Sequence, residues 1–509
     1  MLLRPLLDNA ERRGDAIAVI DDRGSVTWAE LLKRCRRLAK VLRRSTKRNS
    51  VAILLPTGGG FVTAFYACLL AGKIPVPLNF LLGGKEAKHV IRDAGCDLAL
   101  SVNLMLEKLD AGKALKEVAD AGELEVLDLL AMKPSFKTVV AQLFPLPSPD
   151  RAEGDLAALL YTSGTSGLPK GVELTHGNLD SDTKACIVHA RLDRDGADHV
   201  FLGVIPLFHS TGLLATMLAP VQLGAKTVYC ARFNPSDTVK KVREHGVTVM
   251  AAVPSMYNAI SRVKDAGPAD FAKMYIPLSG GEPLSGKVRE AFRRKFDADL
   301  MEGYGLTETC GPICVNMPHA HRPGSVGKLI PGGEARIVDP DGNELPAGET
   351  GELHLRGPMV FRGYHKLPDA TREAKTDDGH FKSGDLGHVD ADGYVFITGR
   401  AKDMLIVGGE NVYPREIEEL LGDMPGVAEA SIVGKPDESR GEAVVAFVIK
   451  AAPQGDDDGE VTDQHVKDFL RDKGLPGFKI PKDVRFVDDL PRSPTGKVLK
   501  RELREQLTS

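Results

Sequence analysis

The chain has 509 residues, 42% apolar and 27% charged, which is long enough for two or more cores and too apolar for a disordered protein. Its 66 basic and 70 acidic side chains leave a formal charge of −4, which argues against a general nucleic-acid binder. Seven scattered cysteines without a disulfide framework, an N-terminus lacking a signal-peptide core and no run of ~20 apolar residues lead us to expect a cytoplasmic protein with no transmembrane segment.

In chain order, residues 16–20 read as a strand leading to Thr27, which predicts a helix cap, with Glu30 completing a capping box. Leu31, Leu32, Cys35, Leu38, Val41 and Leu42 then follow helical spacing, and Lys33, Arg34, Arg36 and Arg37 fall on a solvated face. Residues 51–55 and 74–78 read as strands around an apolar helix at 61–71. The alternation continues through strands at 98–100, 156–160, 200–206, 226–229 and 247–253. This rhythm predicts an α/β region with mostly parallel sheets.

From residue 325 the texture changes. Short strands at 335–338, 351–355 and 393–397, separated by Asp-Gly and Pro-Gly turns, predict a small antiparallel or barrel-like β subdomain. A helix at 416–421 and strands at 430–433 and 444–449 predict a C-terminal α+β domain, with a flexible acidic loop at 455–459. The expected division is a large N-terminal domain over 1–400, built of several subdomains, and a C-terminal domain over 401–509.

One stretch stands out chemically: Tyr161-Thr162-Ser163-Gly164-Thr165-Ser166-Gly167-Leu168-Pro169-Lys170-Gly171, directly after the apolar strand. Glycines let backbone N–H groups crowd around an anion, hydroxyls add donors and lysine adds a positive charge, so the loop reads as a phosphate cradle, which alone does not fix the chemistry. It is not a Walker A loop, because Pro169 precedes Lys170 and Gly171 follows it. Gly303-Tyr304-Gly305-Leu306-Thr307-Glu308 opens like a dinucleotide fingerprint but has Glu308 where the third glycine belongs. No serine has glycine two positions away on both sides, which excludes the usual hydrolase elbow. Cys310 and Cys314 form the one close cysteine pair, and without further ligands nearby they do not read as a metal site.

The cradle, the Gly303–Glu308 segment, Ser383-Gly384-Asp385, Gly399-Arg400-Ala401-Lys402-Asp403 and Pro494-Thr495-Gly496-Lys497 resemble, in this order, the motifs of the adenylate-forming (AMP-binding) superfamily. That superfamily includes acyl-CoA synthetases, firefly luciferases and peptide-synthetase adenylation domains. The resemblance implies ATP-dependent activation of a carboxylic acid to acyl-AMP with release of pyrophosphate, then transfer of the acyl group to a thiol. It implies Mg²⁺ held by Glu308, and CoA as co-substrate.

The same resemblance assigns roles. Thr162, Ser163, Gly164, Thr165, Ser166, Gly167 and Lys170 would wrap the β- and γ-phosphates, and Thr307 would donate to the α-phosphate. Tyr304, beside Gly305, would stack on adenine, facing backbone from Gly280, Gly281 and Glu282. Asp385 and Arg400 would hold the ribose. Lys497 would bridge the carboxylate and the α-phosphate during adenylation. Lys402 would be the hinge of a mobile C-terminal domain, whose Gly408 and Gly409 then face the thiol channel. His209 lies in an almost uncharged stretch, residues 201–225, and would sit near the acyl carboxylate and gate the thiol tunnel. That apolar stretch favours a fatty or other apolar acid, of medium or long chain. No carrier-protein domain follows residue 509, so a CoA ligase is expected ahead of an acyl-carrier-protein ligase. A non-catalytic nucleotide or acyl-adenylate sensor is a third reading.

Overall fold

Helix Gly59–Ala71 buries eleven of its 13 residues, as a helix enclosed by protein on all sides must. It packs on helix Trp28–Ser45, which buries Leu31, Leu32, Cys35, Leu38 and Leu42 and exposes Lys33, Arg34 and Arg36. Thr27 caps that helix by accepting the Glu30 N–H at 3.3 Å, but the predicted capping box is only half made. The Glu30 carboxylate turns to Lys33 and Arg34, because two cations one turn along compete well with a single backbone N–H. The structure, a computed structural model, describes residues 1–131, 149–162, 168–194, 198–451, 461–492 and 498–508. The predicted acidic loop at 455–459 lies outside them.

These two helices belong to a unit comprising Met1–Pro283, Ala291–Glu334 and Leu355–Phe381. Its largest sheet has nine strands, in the order Lys328–Leu329, Gly311–Val315, Met301–Leu306, Ile276–Gly280, Val249–Ala252, Val200–Gly203, Lys226–Tyr229, Ile17–Asp21 and Gly24–Thr27. The six strands from Met301–Leu306 to Ile17–Asp21 run parallel, and antiparallel strands close both edges. A second sheet, Ile74–Pro77, Ser50–Ile53, Leu98–Ser101 and Glu125–Asp128, is wholly parallel. The fold class is the α/β class that the alternation predicts. A third sheet departs from it: Gly363–Tyr364, Lys170–Thr175 and Leu156–Thr162 are antiparallel.

The second unit comprises Leu284–Glu290, Ala335–His354 and Lys382–Ser509. Glu334–Val338, Gly351–Arg356, Phe381–Val389 and Val395–Arg400 form a sheet in that order. It is open, not barrel-like: its two end strands do not pair, and four strands are too few to close on themselves. A second sheet centres on strand Gly441–Lys450, buried along its middle because both faces are covered. Val444, Ala446 and Val448 pack with Ile417, Leu421 and Val466, while Val445 and Phe447 pack with Leu490 and Leu503. This is the predicted α+β arrangement. Among the described residues, no helix is long and apolar enough to cross a membrane.

Candidate active site

The predicted phosphate cradle lies between two antiparallel strands. Thr162 ends one and Lys170 begins the other, and the two residues are paired in register. Ser163, Gly164, Thr165, Ser166 and Gly167 lie outside the described residues, as does Lys497. The downstream foot of the loop is anchored by His89, whose Nε2 is 3.1 Å from the Pro169 carbonyl oxygen.

Two neighbouring strand ends present the next group. Ile276–Gly280 and Met301–Leu306 are parallel, with Gly280 opposite Gly303, so Gly280–Glu282 and Tyr304 emerge side by side. A Cβ on Gly280 would lie 3.3 Å from the Gly303 carbonyl oxygen, and Gly281 has φ +83°. Tyr304 is half-buried rather than a core tyrosine. The ladder is irregular between Tyr304 and Gly305, and a side chain on Gly305 would collide with the Gly311 backbone.

The chain then reverses through a single 3₁₀ turn, Thr307–Thr309. Thr309 pins it: its hydroxyl accepts the Leu306 N–H at 2.9 Å and lies 2.8 Å from the Gly311 carbonyl oxygen. Cys310 completes the reversal with φ +65°, rare for a residue bearing a Cβ and typical of backbone constrained near functional sites. Thr307 and Glu308 are thereby presented on a stiff corner, both half-buried.

Tyr364 is a residue that sequence reasoning missed. Its hydroxyl donates to Glu308 Oε1 at 2.9 Å, and its ring centroid is 5.4 Å from Lys170 Nζ. It therefore connects the proposed metal carboxylate to the lysine of the cradle. Burial, reinforced by the Glu308 carboxylate, raises the phenol pKa, so the hydroxyl keeps its proton and stays a donor. The Phe361 N–H also donates to the Glu308 carbonyl at 2.7 Å. Glu173 holds this segment against the hairpin: Arg362 Nε donates to Oε2 at 2.8 Å, and His365 Nδ1 is 2.8 Å from Oε1.

His209 precedes the short helix Ser210–Leu213. It is half-buried, with its ring 4.5 Å from that of Phe208. Leu213, Leu214, Met217 and Leu218, further along the uncharged stretch, are all core residues.

In the second unit, Asp385 and Arg400 face each other across the paired strands Phe381–Val389 and Val395–Arg400. Arg400 Nε is 2.8 Å from Asp385 Oδ1, with the Asp385 side chain 4% exposed and that of Arg400 42%. Ser383 fixes the approach: its hydroxyl donates to the Leu353 carbonyl at 2.6 Å and accepts the Asp385 N–H at 3.0 Å. Lys402 is exposed in the 3₁₀ turn Ala401–Asp403 that follows directly. Gly408 and Gly409, with φ +63° and +87°, make the two-residue turn between strands Leu405–Val407 and Glu410–Val412.

Residues 6–365 match the AMP-binding enzyme family, and residues 416–497 match the AMP-binding enzyme C-terminal domain. The chain is 35% identical over 500 residues to a feruloyl-CoA synthase of Amycolatopsis sp, covering 96% of both chains. It is 33% identical over 538 residues to a long-chain-fatty-acid–CoA ligase of Salmonella typhimurium, covering 98% of this chain and 93% of that one. ATP-bound MatB from Rhodopseudomonas palustris superposes with a TM-score of 0.87 at 31% identity, over 99% of each chain. A fold of this class, matched over nearly its whole length by ligases of this kind, leaves one assignment: the chain belongs to the AMP-binding enzymes, in their acyl-CoA synthetase branch, and is an adenylate-forming acid–thiol ligase.

Proposed function

We propose that this ligase activates an apolar carboxylic acid, a medium- or long-chain fatty acid or an acid of similar character, and passes it to CoA. The observation that carries the reading is the linkage of Lys170, at the start of its strand, through Tyr364 to Glu308 on the pinned corner, accompanied by the largely buried, almost uncharged stretch from 201 to 225. In the first step a carboxylate oxygen attacks the α-phosphorus of ATP, the bond to the β-phosphate oxygen breaks, and pyrophosphate leaves. In the second the thiol sulfur attacks the acyl carbon, AMP departs with the bridging oxygen, and the thiol proton passes to solvent. The protein must offset the repulsion of two anions and stabilise charge at phosphorus, which is positional and electrostatic work.

In this reading, Thr162 to Lys170 hold the outer phosphates, Thr307 donates to the α-phosphate, and Tyr304 with Gly280–Glu282 flanks adenine. Asp385 and Arg400 hold the ribose, and Lys497 bridges carboxylate and phosphate. Glu308 would hold Mg²⁺. Among the described residues no three His, Cys, Asp or Glu side chains converge as a metal cage. One carboxylate supplemented by substrate phosphates suits magnesium, and the Tyr364 hydroxyl orients Glu308 for it. When bound, the ion would neutralise phosphate charge. His209 would guard the thiol approach, Lys402 would act as the hinge, and Gly408-Gly409 would line the thiol channel.

ATP–pyrophosphate exchange with a panel of fatty and aryl acids tests the first step, and CoA against a carrier protein tests the second. Exchange that depends on an apolar acid, followed by thioester formed with CoA, is expected. Exchange with no acid would point to a nucleotide sensor, and transfer to carrier protein alone would replace CoA as the acceptor.

A further inference from the structure

Asp182 lies in the middle of helix His176–His189, with none of its surface exposed. The same helix face carries Cys186 and His189 one and two turns on, all directed at strand Gly311–Val315. Cys186 Sγ is 3.7 Å from the Pro312 carbonyl oxygen, and His189 Nε2 is 3.0 Å from that of Val315. Asp182 comes next in this row, opposite Gly311. Among the described residues its Oδ2 has no hydrogen-bond partner, and Oδ1 has the Cys186 thiol at 3.7 Å. Burial raises its pKa well above the carboxylate range, so the group is a neutral acid with an O–H to donate.

The surroundings of that oxygen point to a ligand. Gly311 lets the strand approach it closely: a Cβ there would lie 3.3 Å from Oδ2, tighter than an ordinary contact, and 3.6 Å from Leu214 Cβ. Leu214 opens the π-helical turn Leu214–Leu218 within the uncharged stretch that follows His209, and such turns are rare and recur at functional sites. Gly311 itself pairs with Leu306, directly before Thr307 and Glu308. Cys186, one turn on from Asp182, is half-buried. A buried acid thus sits where the apolar stretch meets the strand leading out of the Thr307–Glu308 corner.

We infer that Asp182 determines specificity for the acid, by hydrogen-bonding a hydroxyl group that an otherwise apolar substrate carries away from its carboxylate. The inference rests on the acid-activating reading above and narrows its substrate. A neutral carboxyl offers one donor and acceptor oxygens, the complement of a hydroxyl. An ammonium group would instead require the ionised form in a setting that disfavours charge. A plain hydrocarbon tail would leave Asp182 unsatisfied, and sites built to bond a substrate hydroxyl reject the analogue lacking it by large factors.

The test compares octanoic, dodecanoic and cinnamic acids with counterparts hydroxylated at the end remote from the carboxylate, in pyrophosphate exchange and CoA thioester formation. The wild-type enzyme is expected to prefer the hydroxylated member of at least one pair by about 100-fold in kcat/KM. Asp182→Leu should erase that preference by losing the hydroxylated acid while keeping its counterpart. A wild-type ratio near one in every active pair overturns the inference, as does an Asp182→Leu variant that weakens both members equally. If that variant fails to fold, Asp182→Ala, which removes donor and acceptor together without adding bulk, carries the test. Its ratio should fall at least about tenfold, and an unchanged ratio counts against the idea. Exchange with none of these acids would sink the apolar-acid reading itself, a result distinct from exchange that ignores the hydroxyl.

Discussion

The Tyr364 hydroxyl donates to Glu308 Oε1 at 2.9 Å, joining two residues that lie 56 positions apart in sequence. Hydrogen bonds to charged groups contribute about 1.5–3 kcal/mol, so removing this one should be visible in catalysis. Tyr364→Phe is expected to raise the Mg²⁺ concentration needed for half-maximal pyrophosphate exchange and to lower kcat roughly 10–100-fold. Tyr364→Ala, which also removes the ring beside Lys170, should lose more. A phenylalanine variant with wild-type magnesium dependence would refute the orienting role.

The Asp385–Arg400 pair predicts coupled losses in ATP binding. Arg400→Lys keeps the charge but loses the planar donor fork, and is expected to raise the KM for ATP about tenfold. Asp385→Ala should do the same, and the double variant should cost less than the product of the two. Strictly multiplicative effects in a double-mutant cycle would show that the 2.8 Å contact is incidental to nucleotide binding.

Two glycines separate space from conformation. Gly305→Ala places a methyl group onto the Gly311 backbone and should destabilise the fold by at least about 2 kcal/mol, with loss of exchange. Gly60→Ala, in helix Gly59–Ala71, meets nothing within 4 Å and should stabilise it by about 0.5 kcal/mol. Denaturant midpoints for the two variants should move in opposite directions.

The half-reactions should come apart in two further variants. Lys497→Ala is expected to abolish adenylate formation while sparing thioester formation from a supplied acyl-adenylate. Lys402→Pro, in the turn Ala401–Asp403, should do the reverse, leaving adenylation measurable and slowing transfer to CoA. Equal losses of both steps in either variant would remove its assigned role.

Acid should weaken the first unit through His176. Burial, with Arg151 nearby, lowers its pKa to about 4. The unfolded chain, with the usual histidine pKa, takes up the proton first. The contribution is therefore complete above about pH 6.5 and disappears as pH falls toward 4. His176→Gln should flatten the fall in melting temperature across that interval; an unaltered slope would place the acid sensitivity elsewhere.

What the sequence disclosed follows from chemistry that is unusual in composition. Three glycines and four hydroxyls around Lys170, or Gly303 to Glu308, have few structural explanations, so they stand out. Tyr364 does not, because its place depends on a two-residue strand, Gly363–Tyr364, too short to show periodicity. Asp182 is hidden for a different reason. Its neighbours Asp180, Ser181 and Lys184 suggest a solvated face, yet His176, Leu179, Asp182, Thr183, Ala185 and Ile187 are all buried. Protein covers that helix on more than one side, so its sequence carries no clean amphipathic signal. The barrel expectation failed because Asp-Gly turns report hairpins and are silent on closure.

The antiparallel sheet beneath the cradle also sets a schedule for synthesis. Strand Lys170–Thr175 meets its partner Gly363–Tyr364 only after the ribosome has added nearly two hundred more residues; the Glu173–His365 contact spans 192. At ordinary elongation rates that is roughly 10–40 s with a buried-type strand edge unpaired. The hairpin is thus one point at which a nascent chain is open to wrong pairing, as is strand Ile17–Asp21, whose partner Lys226–Tyr229 is also made about two hundred residues later. Early chaperone engagement should fall on this segment and end once residue 365 has cleared the exit tunnel.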